Sequence, residues 1–314
     1  LKKHTIRIAE GNDFSPEVVL KLQQFFLVEM TACSQNQVSS SLQNCDVFWF
    51  RLGLRITEKD IPANLRCKVI ATPVTGTDHI DKAACDKAGI SIISLKGETE
   101  FLKNVRATAE HTMLLALLLC RHPHRAMESV RKGVWNRDLF RGNEIFEKTV
   151  GIVGLGRLGE IVGSYFLALG ARVIGFDKVN RKLPGIIVLD SLEELARQSD
   201  IISIHLSLDE STKHIINGAF FSKVKRNCIV INTSRGGIVD EEALLAALNN
   251  GIIGAAALDV LQDEKMSMSG NALIEYANHH DNLVITPHIG GNTFESFQKS
   301  EHFIAEKVIS FFKV

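Results

Sequence analysis

The chemistry legible in this chain is carried by three glycines, three acids, an arginine and a histidine. Gly154, Gly156 and Gly159 stand in G-x-G-x-x-G spacing within Thr149-Val-Gly-Ile-Val-Gly-Leu-Gly-Arg-Leu-Gly159. Gly154 permits a tight turn, Gly156 lets the backbone approach a pyrophosphate, and Gly159 lets a helix pack on the strand before it. A β-branched, apolar run, Thr149 to Val153, precedes the turn; an apolar helical pattern (Ile161, Val162, Tyr165, Phe166, Leu169) follows. Phosphates would then sit at a helix N-terminus, where free N–H groups and the dipole favour negative charge. A second strand, Ala171 to Phe176, leads into Asp177, near the spacing expected of the acid that binds the adenosine ribose hydroxyls. A carboxylate there repels a 2′-phosphate, which predicts NAD rather than NADP.

Hydride exchange between a hydroxy acid and a nicotinamide needs three more groups. An arginine fork can hold the substrate carboxylate. A histidine can take the hydroxyl proton near neutral pH. A carboxylate behind that histidine fixes its tautomer. Arg235 follows the strand Cys228 to Asn232 in Asn-Thr-Ser-Arg-Gly-Gly, and His288 ends Leu-Val-Ile-Thr-Pro-His-Ile-Gly-Gly. Asp259 ends Ala-Ala-Ala-Leu-Asp-Val, and Glu264 lies in Asp263-Glu264-Lys265. All follow strand-like runs, and ligands gather at the carboxyl ends of strands in open α/β sheets. Taken singly, Arg235 reads as a turn residue, His288 as structural and Glu264 as solvent-facing. Their joint position downstream of a dinucleotide turn makes them a candidate site.

Strand-like and helix-like runs alternate from end to end, which predicts an α/β chain with parallel sheets. Strands are expected near Thr5 to Ala9, Phe26 to Thr31, Val47 to Phe50, Lys68 to Thr72 and Ile90 to Ser94. After the glycine turn they recur at Ile201 to Leu206, Cys228 to Asn232, Ala255 to Val260 and Leu283 to Thr286. Helical patterns lie at Pro16 to Phe25, Asp81 to Ala88, Asn104 to His122 and Glu295 to Phe312; the third is apolar on more than one side and so expected to be buried. About 100 residues of another α/β unit precede the glycine turn, and no strand follows the last helix. The chain is therefore expected to build one domain, cross, build the dinucleotide domain and return, leaving an interdomain cleft for a ligand.

The 314 residues suffice for two domains, and 36 basic residues cancel 36 acidic ones, so no global field favours nucleic acid or an anionic membrane. Six scattered cysteines without a C-x-x-C pair predict free thiols in a reducing, cytoplasmic setting. No signal-peptide pattern or membrane-length apolar run is present, and Leu1 in place of Met suggests a few trimmed residues. His122-Pro-His124 and His279-His280 lack helical i, i+4 spacing and companion ligands, so no metal is expected.

The chain resembles the D-isomer-specific 2-hydroxyacid dehydrogenase family, especially its phosphoglycerate dehydrogenase-like branch. The carriers are Thr-Gly-Thr-Asp-His-Ile-Asp (75 to 81), Ala-Glu-His (109 to 111), the glycine turn, His205-Leu-Ser-Leu, Asn232-Thr-Ser-Arg-Gly-Gly-Ile-Val-Asp240, Ala-Leu-Asp-Val (257 to 260) and Thr-Pro-His-Ile-Gly. The resemblance implies two Rossmann-like or flavodoxin-like domains: residues 1–103 with 288–314 as the substrate (catalytic) domain, and 104–287 as the NAD-binding Rossmann domain. It implies that Arg235 anchors the substrate carboxylate, His288 is the acid/base and Glu264 its partner. Asp259 and the Thr233 carbonyl would hold the nicotinamide carboxamide, with Arg157, Leu158, His205 and Gly290 as further cofactor contacts. Backbone near Thr75 and Gly76 would meet the substrate, and a homodimer through the cofactor domain is expected.

Departures from the family pattern are Pro73 and Val74 before Thr-Gly, Ser207 in place of a proline, no Glu-Pro after Asp259, and a longer Ser94 to Asn104 segment. Arg51, Arg55 and Arg121 resemble the phosphate contacts of phosphoglycerate dehydrogenases, which favours a 3-phosphoglycerate-type substrate. Against this, the sequence ends at Val314 without a regulatory module, so glyoxylate or hydroxypyruvate reduction stays open, as does an NAD-sensing, corepressor-like role.

Overall fold

The computed structural model describes residues 3–10, 13–179, 181–264 and 268–313. The chain divides into two compact units, Leu1–Val105 with Asn292–Val314, and Arg106–Gly291.

The first unit is a five-stranded parallel sheet of β1 (Thr5–Ile8), β2 (Leu27–Met30), β3 (Val47–Trp49), β4 (Val69–Ala71) and β5 (Ser91–Ile93), in the order β2-β1-β3-β4-β5. Alternate side chains leave a strand on opposite faces, and β3 shows the result. Val47 and Trp49 join one core with Leu22, Ile304 and Val308, while Phe48 and Phe50 join another with Leu42 and Ile70. Helices Pro16–Phe25 and Phe294–Phe312 belong to the first of these cores.

The second unit is a seven-stranded parallel sheet of β6 (Thr149–Val153), β7 (Arg172–Phe176), β8 (Ile187–Val188), β9 (Ile201–Ile204), β10 (Cys228–Asn232), β11 (Ile253–Leu258) and β12 (Leu283–Ile285), ordered β12-β11-β10-β9-β6-β7-β8. The order reverses between β6 and β9, the Rossmann switch point where dinucleotides bind. The glycine turn leaves β6 at this point, and His205 leaves β9 beside it.

The helix expected over Asn104 to His122 spans Ala107–Arg121 and ends at His122, which adopts φ +51. It is buried along Thr112, Leu115, Ala116 and Leu119, whereas Leu114 and Leu117 stay exposed. The return to the first unit falls after Gly291 rather than at His288. The reason is local: the amides of His288, Ile289 and Gly290 all bond to Asp259 in the second unit. Among the described residues no helix is long and apolar enough to cross a membrane, and all six cysteines are free.

Candidate active site

The dinucleotide turn is built by close approach. Gly154 adopts φ +93, and a Cβ there would lie 2.7 Å from the His205 carbonyl oxygen. A Cβ at Gly159 would overlap the Gly154 carbonyl, so helix Arg157–Ala168 can seat on β6 only with glycine in that position. Gly156 is the N-cap of this helix, with no side chain capping it and open space where its Cβ would be. Uncapped N–H groups beside open space form a cradle for a phosphate. Asp177 follows β7; its Oδ2 accepts the Leu155 N–H at 2.7 Å and its Oδ1 the Val179 N–H at 2.9 Å. Each oxygen keeps a lone pair for a ribose hydroxyl. His205 bonds Ser203 Oγ through Nε2 at 2.8 Å, while its buried Nδ1 meets no hydrogen-bond partner among the described residues. Burial pushes this imidazole's pKa down to about 3, so the ring stays neutral. The cradle, the fixed carboxylate and the orphaned nitrogen fit a dinucleotide. Arg157 and Leu158, half-buried, open the helix behind the cradle.

His288 and Glu264 meet: Glu264 Oε1 lies 2.6 Å from His288 Nδ1. An ionised carboxylate only accepts, so Nδ1 carries the proton and Nε2 remains to exchange one. His288 adopts φ +54, a sparsely populated conformation for a non-glycine residue. It is held there by its N–H, which reaches the Asp259 carbonyl at 2.8 Å and the Thr286 carbonyl at 3.0 Å.

Asp259, only 1% exposed, is the hub of this loop. Its carboxylate accepts from Thr286 Oγ1 at 2.6 Å, Ile289 N at 2.9 Å and Gly290 N at 2.7 Å, with His111 Nε2 at 3.3 Å. Burial pushes this carboxyl up, but the donors, His111 and Thr286 foremost, outweigh it and hold the pKa below the usual aspartate range. Three of these donors converge on Oδ1, while Oδ2 accepts the Gly290 N–H alone and keeps an acceptor position. His111, which also bonds Thr286 Oγ1 at 3.0 Å, was named in the sequence only as part of a motif, without a role.

Arg235 belongs to the same framework. Asn232 Oδ1 accepts from Ser234 N at 3.0 Å and Ser234 Oγ at 2.6 Å, and Asn232 Nδ2 donates to the Arg235 carbonyl at 2.9 Å. The Asn232 carbonyl in turn accepts the Asp259 N–H at 2.9 Å. Thr233, buried, shares a 2.8 Å hydrogen bond with Thr112. Arg235, Asp259 and His288 thus follow the adjacent strands β10, β11 and β12 and are linked by one backbone chain, Asn232 to Asp259 to His288.

The first unit holds the remaining candidates. Thr75 is exposed and Gly76 half-buried in the loop after β4. Arg51 does not stand open to a ligand: its Nη2 donates to Glu301 Oε1 at 2.7 Å and to the Asp13 carbonyl at 3.3 Å. Arg55 and Arg121 are exposed, and Lys265, beside Glu264, lies outside the described residues. Among the described residues no group of three or more His, Cys, Asp or Glu side chains is placed to hold a metal ion.

Residues 113–290 match the NAD binding domain of D-isomer specific 2-hydroxyacid dehydrogenases. The chain is 32% identical over 308 residues to the D-3-phosphoglycerate dehydrogenase of Methanocaldococcus jannaschii, covering 96% of this chain and 57% of that one. It is equally identical over 308 residues to the hydroxypyruvate reductase of Thermotoga maritima, covering 98% of each. It spans about half the length, 49% to 57%, of the phosphoglycerate dehydrogenases it matches. Among solved structures it is similar to the D-lactate dehydrogenase of Aquifex aeolicus complexed with NAD and lactic acid, with a TM-score of 0.87 and 28% identity over 98% of this chain and 95% of that one. The chain belongs to the D-isomer specific 2-hydroxyacid dehydrogenase family. Its second unit carries that family's NAD binding domain.

Proposed function

We propose that this protein is an NAD-dependent dehydrogenase that interconverts a D-2-hydroxy acid and its 2-keto acid. The 2.6 Å pair of His288 and Glu264 carries the reading, because it is a tautomer-fixed acid/base on the strand-end side of a dinucleotide sheet. When bound, NAD supplies the hydride acceptor, and NADH the donor. His288 Nε2 takes the hydroxyl proton as the alcohol is oxidised and returns it to the carbonyl oxygen in reduction. Glu264 stabilises the imidazolium formed in between. Arg235 binds the substrate carboxylate and draws charge from the adjacent carbonyl. Asp259 holds the His288 loop, and the acceptor position left on its Oδ2 is available to the nicotinamide carboxamide.

Names of the relatives divide between phosphoglycerate and hydroxypyruvate chemistry. The phosphorylated substrate was expected from Arg51, Arg55 and Arg121; of these, Arg51 has its charge matched by Glu301.

The active species is proposed to be a homodimer. Helix Pro123–Arg131 has no buried residue, and Met127, Val130, Val134, Trp135 and Leu139 all stay exposed, Trp135 at 89%. A monomer seldom leaves so large an apolar run in water. A two-fold pairing of this arm with a second copy would cover that apolar surface.

Purified protein mixed with NADH and a panel of 2-keto acids tests the assignment by loss of nicotinamide absorbance. Turnover of at least one acid is expected. NADH binding without turnover of any would favour a sensor instead.

A further inference from the structure

We propose that the far end of the substrate carries no phosphate: the enzyme acts on small unphosphorylated 2-keto acids, because the carboxylates of Glu10 and Glu301 sit on the loop after β3 and engage its Arg51 and Gly53 donors. This inference rests on the dehydrogenase reading above. The first sheet reverses its strand order between β1 and β3, and ligands of open parallel sheets gather at the carboxyl ends of the strands flanking such a reversal. Glu10 follows β1, and Arg51 follows β3.

Three donors in this place are engaged by carboxylates, while the buried Arg51 Nε meets no hydrogen-bond partner among the described residues. Glu10 accepts the backbone N–H of Arg51 through one oxygen and that of Gly53, at 2.7 Å, through the other. The Arg51 guanidinium pairs with Glu301 at 2.7 Å and stacks 4.0 Å from the centre of the Phe297 ring. Glu301 is 0% exposed, and its second oxygen accepts the Ser15 N–H at 2.9 Å. An incoming phosphate dianion would meet two carboxylates where it needs open, positively charged donors. Rotating Arg51 toward it would strand a buried carboxylate without its counter-charge, an arrangement proteins avoid. Arg55 is exposed, and only its backbone is fastened, through N–H and carbonyl to Gln35.

Steady-state kinetics with NADH provide the test, comparing kcat/KM for hydroxypyruvate and glyoxylate with that for phosphohydroxypyruvate. Wild-type protein, Glu301→Gln and Arg51→Gln are to be compared, each checked for folding by thermal melting. The wild type should favour the unphosphorylated acids by tenfold or more. Glu301→Gln keeps an acceptor for Ser15 but removes the charge that neutralises Arg51, so its preference should move toward phosphohydroxypyruvate by roughly tenfold. Glu10→Gln provides the same comparison if Glu301→Gln fails to fold. A wild type that prefers phosphohydroxypyruvate, with the preference collapsing in Arg51→Gln, overturns the proposal while leaving the dehydrogenase standing. An unmoved ratio in a folded Glu301→Gln variant also overturns it. Turnover of no acid at all overturns the dehydrogenase reading, and this inference with it.

Discussion

Glu264 and His288 lie 24 positions apart in the chain, yet Oε1 of one is 2.6 Å from Nδ1 of the other. One residue follows β11 and the other β12, which are paired in parallel register. The sheet brings the two segments side by side, and Asp259 then clamps the second of them by its amides.

His288→Gln should reduce kcat by about three orders of magnitude or more, since general acid–base catalysis contributes up to about 10⁴-fold. NADH affinity, read by fluorescence titration, should stay within about twofold, because the cradle at Gly156 is untouched. Glu264→Gln should cost less in kcat, about 10²-fold, because the ring keeps its place but loses the charge that steadies the imidazolium. Near-normal turnover in His288→Gln would mean that the base has been misassigned.

Asp177→Ala should weaken NAD binding and narrow the gap between NAD and NADP. Two effects combine: the ribose hydroxyls lose their acceptor, and a 2′-phosphate no longer meets a negative charge. The Leu155 amide also loses its 2.7 Å partner, so some loosening of the glycine turn is expected as well. Parallel KM measurements for the two cofactors check this; an unchanged ratio excludes the carboxylate from discrimination.

Gly236→Ala should destabilise the fold by about 1–3 kcal/mol without touching the reacting groups directly. A Cβ at Gly236 would run into the backbone of Leu261, which is fixed in place and cannot yield as a side-chain tip would. Urea or thermal unfolding reads the change. A melting temperature within a degree of the wild type would show that the Leu261 segment moves freely.

Acid should weaken the protein through His205. Its folded pKa is depressed to about 3 by burial, against about 6.5 when unfolded. Between those values the unfolded chain binds the extra proton, so stability is full above pH 6.5 and falls as pH drops toward 3. The slope contributed by one such group is at most about 1.4 kcal/mol per pH unit. His205→Gln should flatten the stability profile between pH 6 and 4 relative to the wild type, a difference that unfolding curves across that range would show.

Trp135→Ser with Met127→Ser should shift the protein toward a monomer in light scattering at micromolar concentration. The individual fold should survive, since neither side chain is part of a core. A wild type that is already monomeric would refute the assignment of this arm to a second copy.

Much of this architecture could be read from local pattern. Helix Pro16–Phe25 and strand Cys228–Asn232 have the bounds expected, because a proline at the helix start and an apolar run before Asn-Thr-Ser mark their ends locally. Other strands end one or two residues early, because their last pairings depend on a neighbouring strand that local sequence does not reveal. β8, two residues long, is too short to show any period. At the site, His288, Glu264 and Arg235 were legible by type and strand-end position. The work of Asp259 was not, since its donors come from Thr286, Ile289, Gly290 and His111. Arg51 shows the same limit, for its partner lies 250 positions away. One clue was available: Glu301 interrupts the apolar stripe of Phe297, Ile304 and Val308, and a charge in such a stripe needs a counter-charge.

The first unit is discontinuous, and this bears on how the chain is made. Ile304, Ala305 and Val308 pack in the same core as β1 and β3, so nearly three hundred residues must leave the ribosome before that core can close. The contiguous residues 106–291 have no such wait. A nascent chain should therefore become protease-resistant in its middle first, with its opening hundred residues still digestible until the final helix emerges.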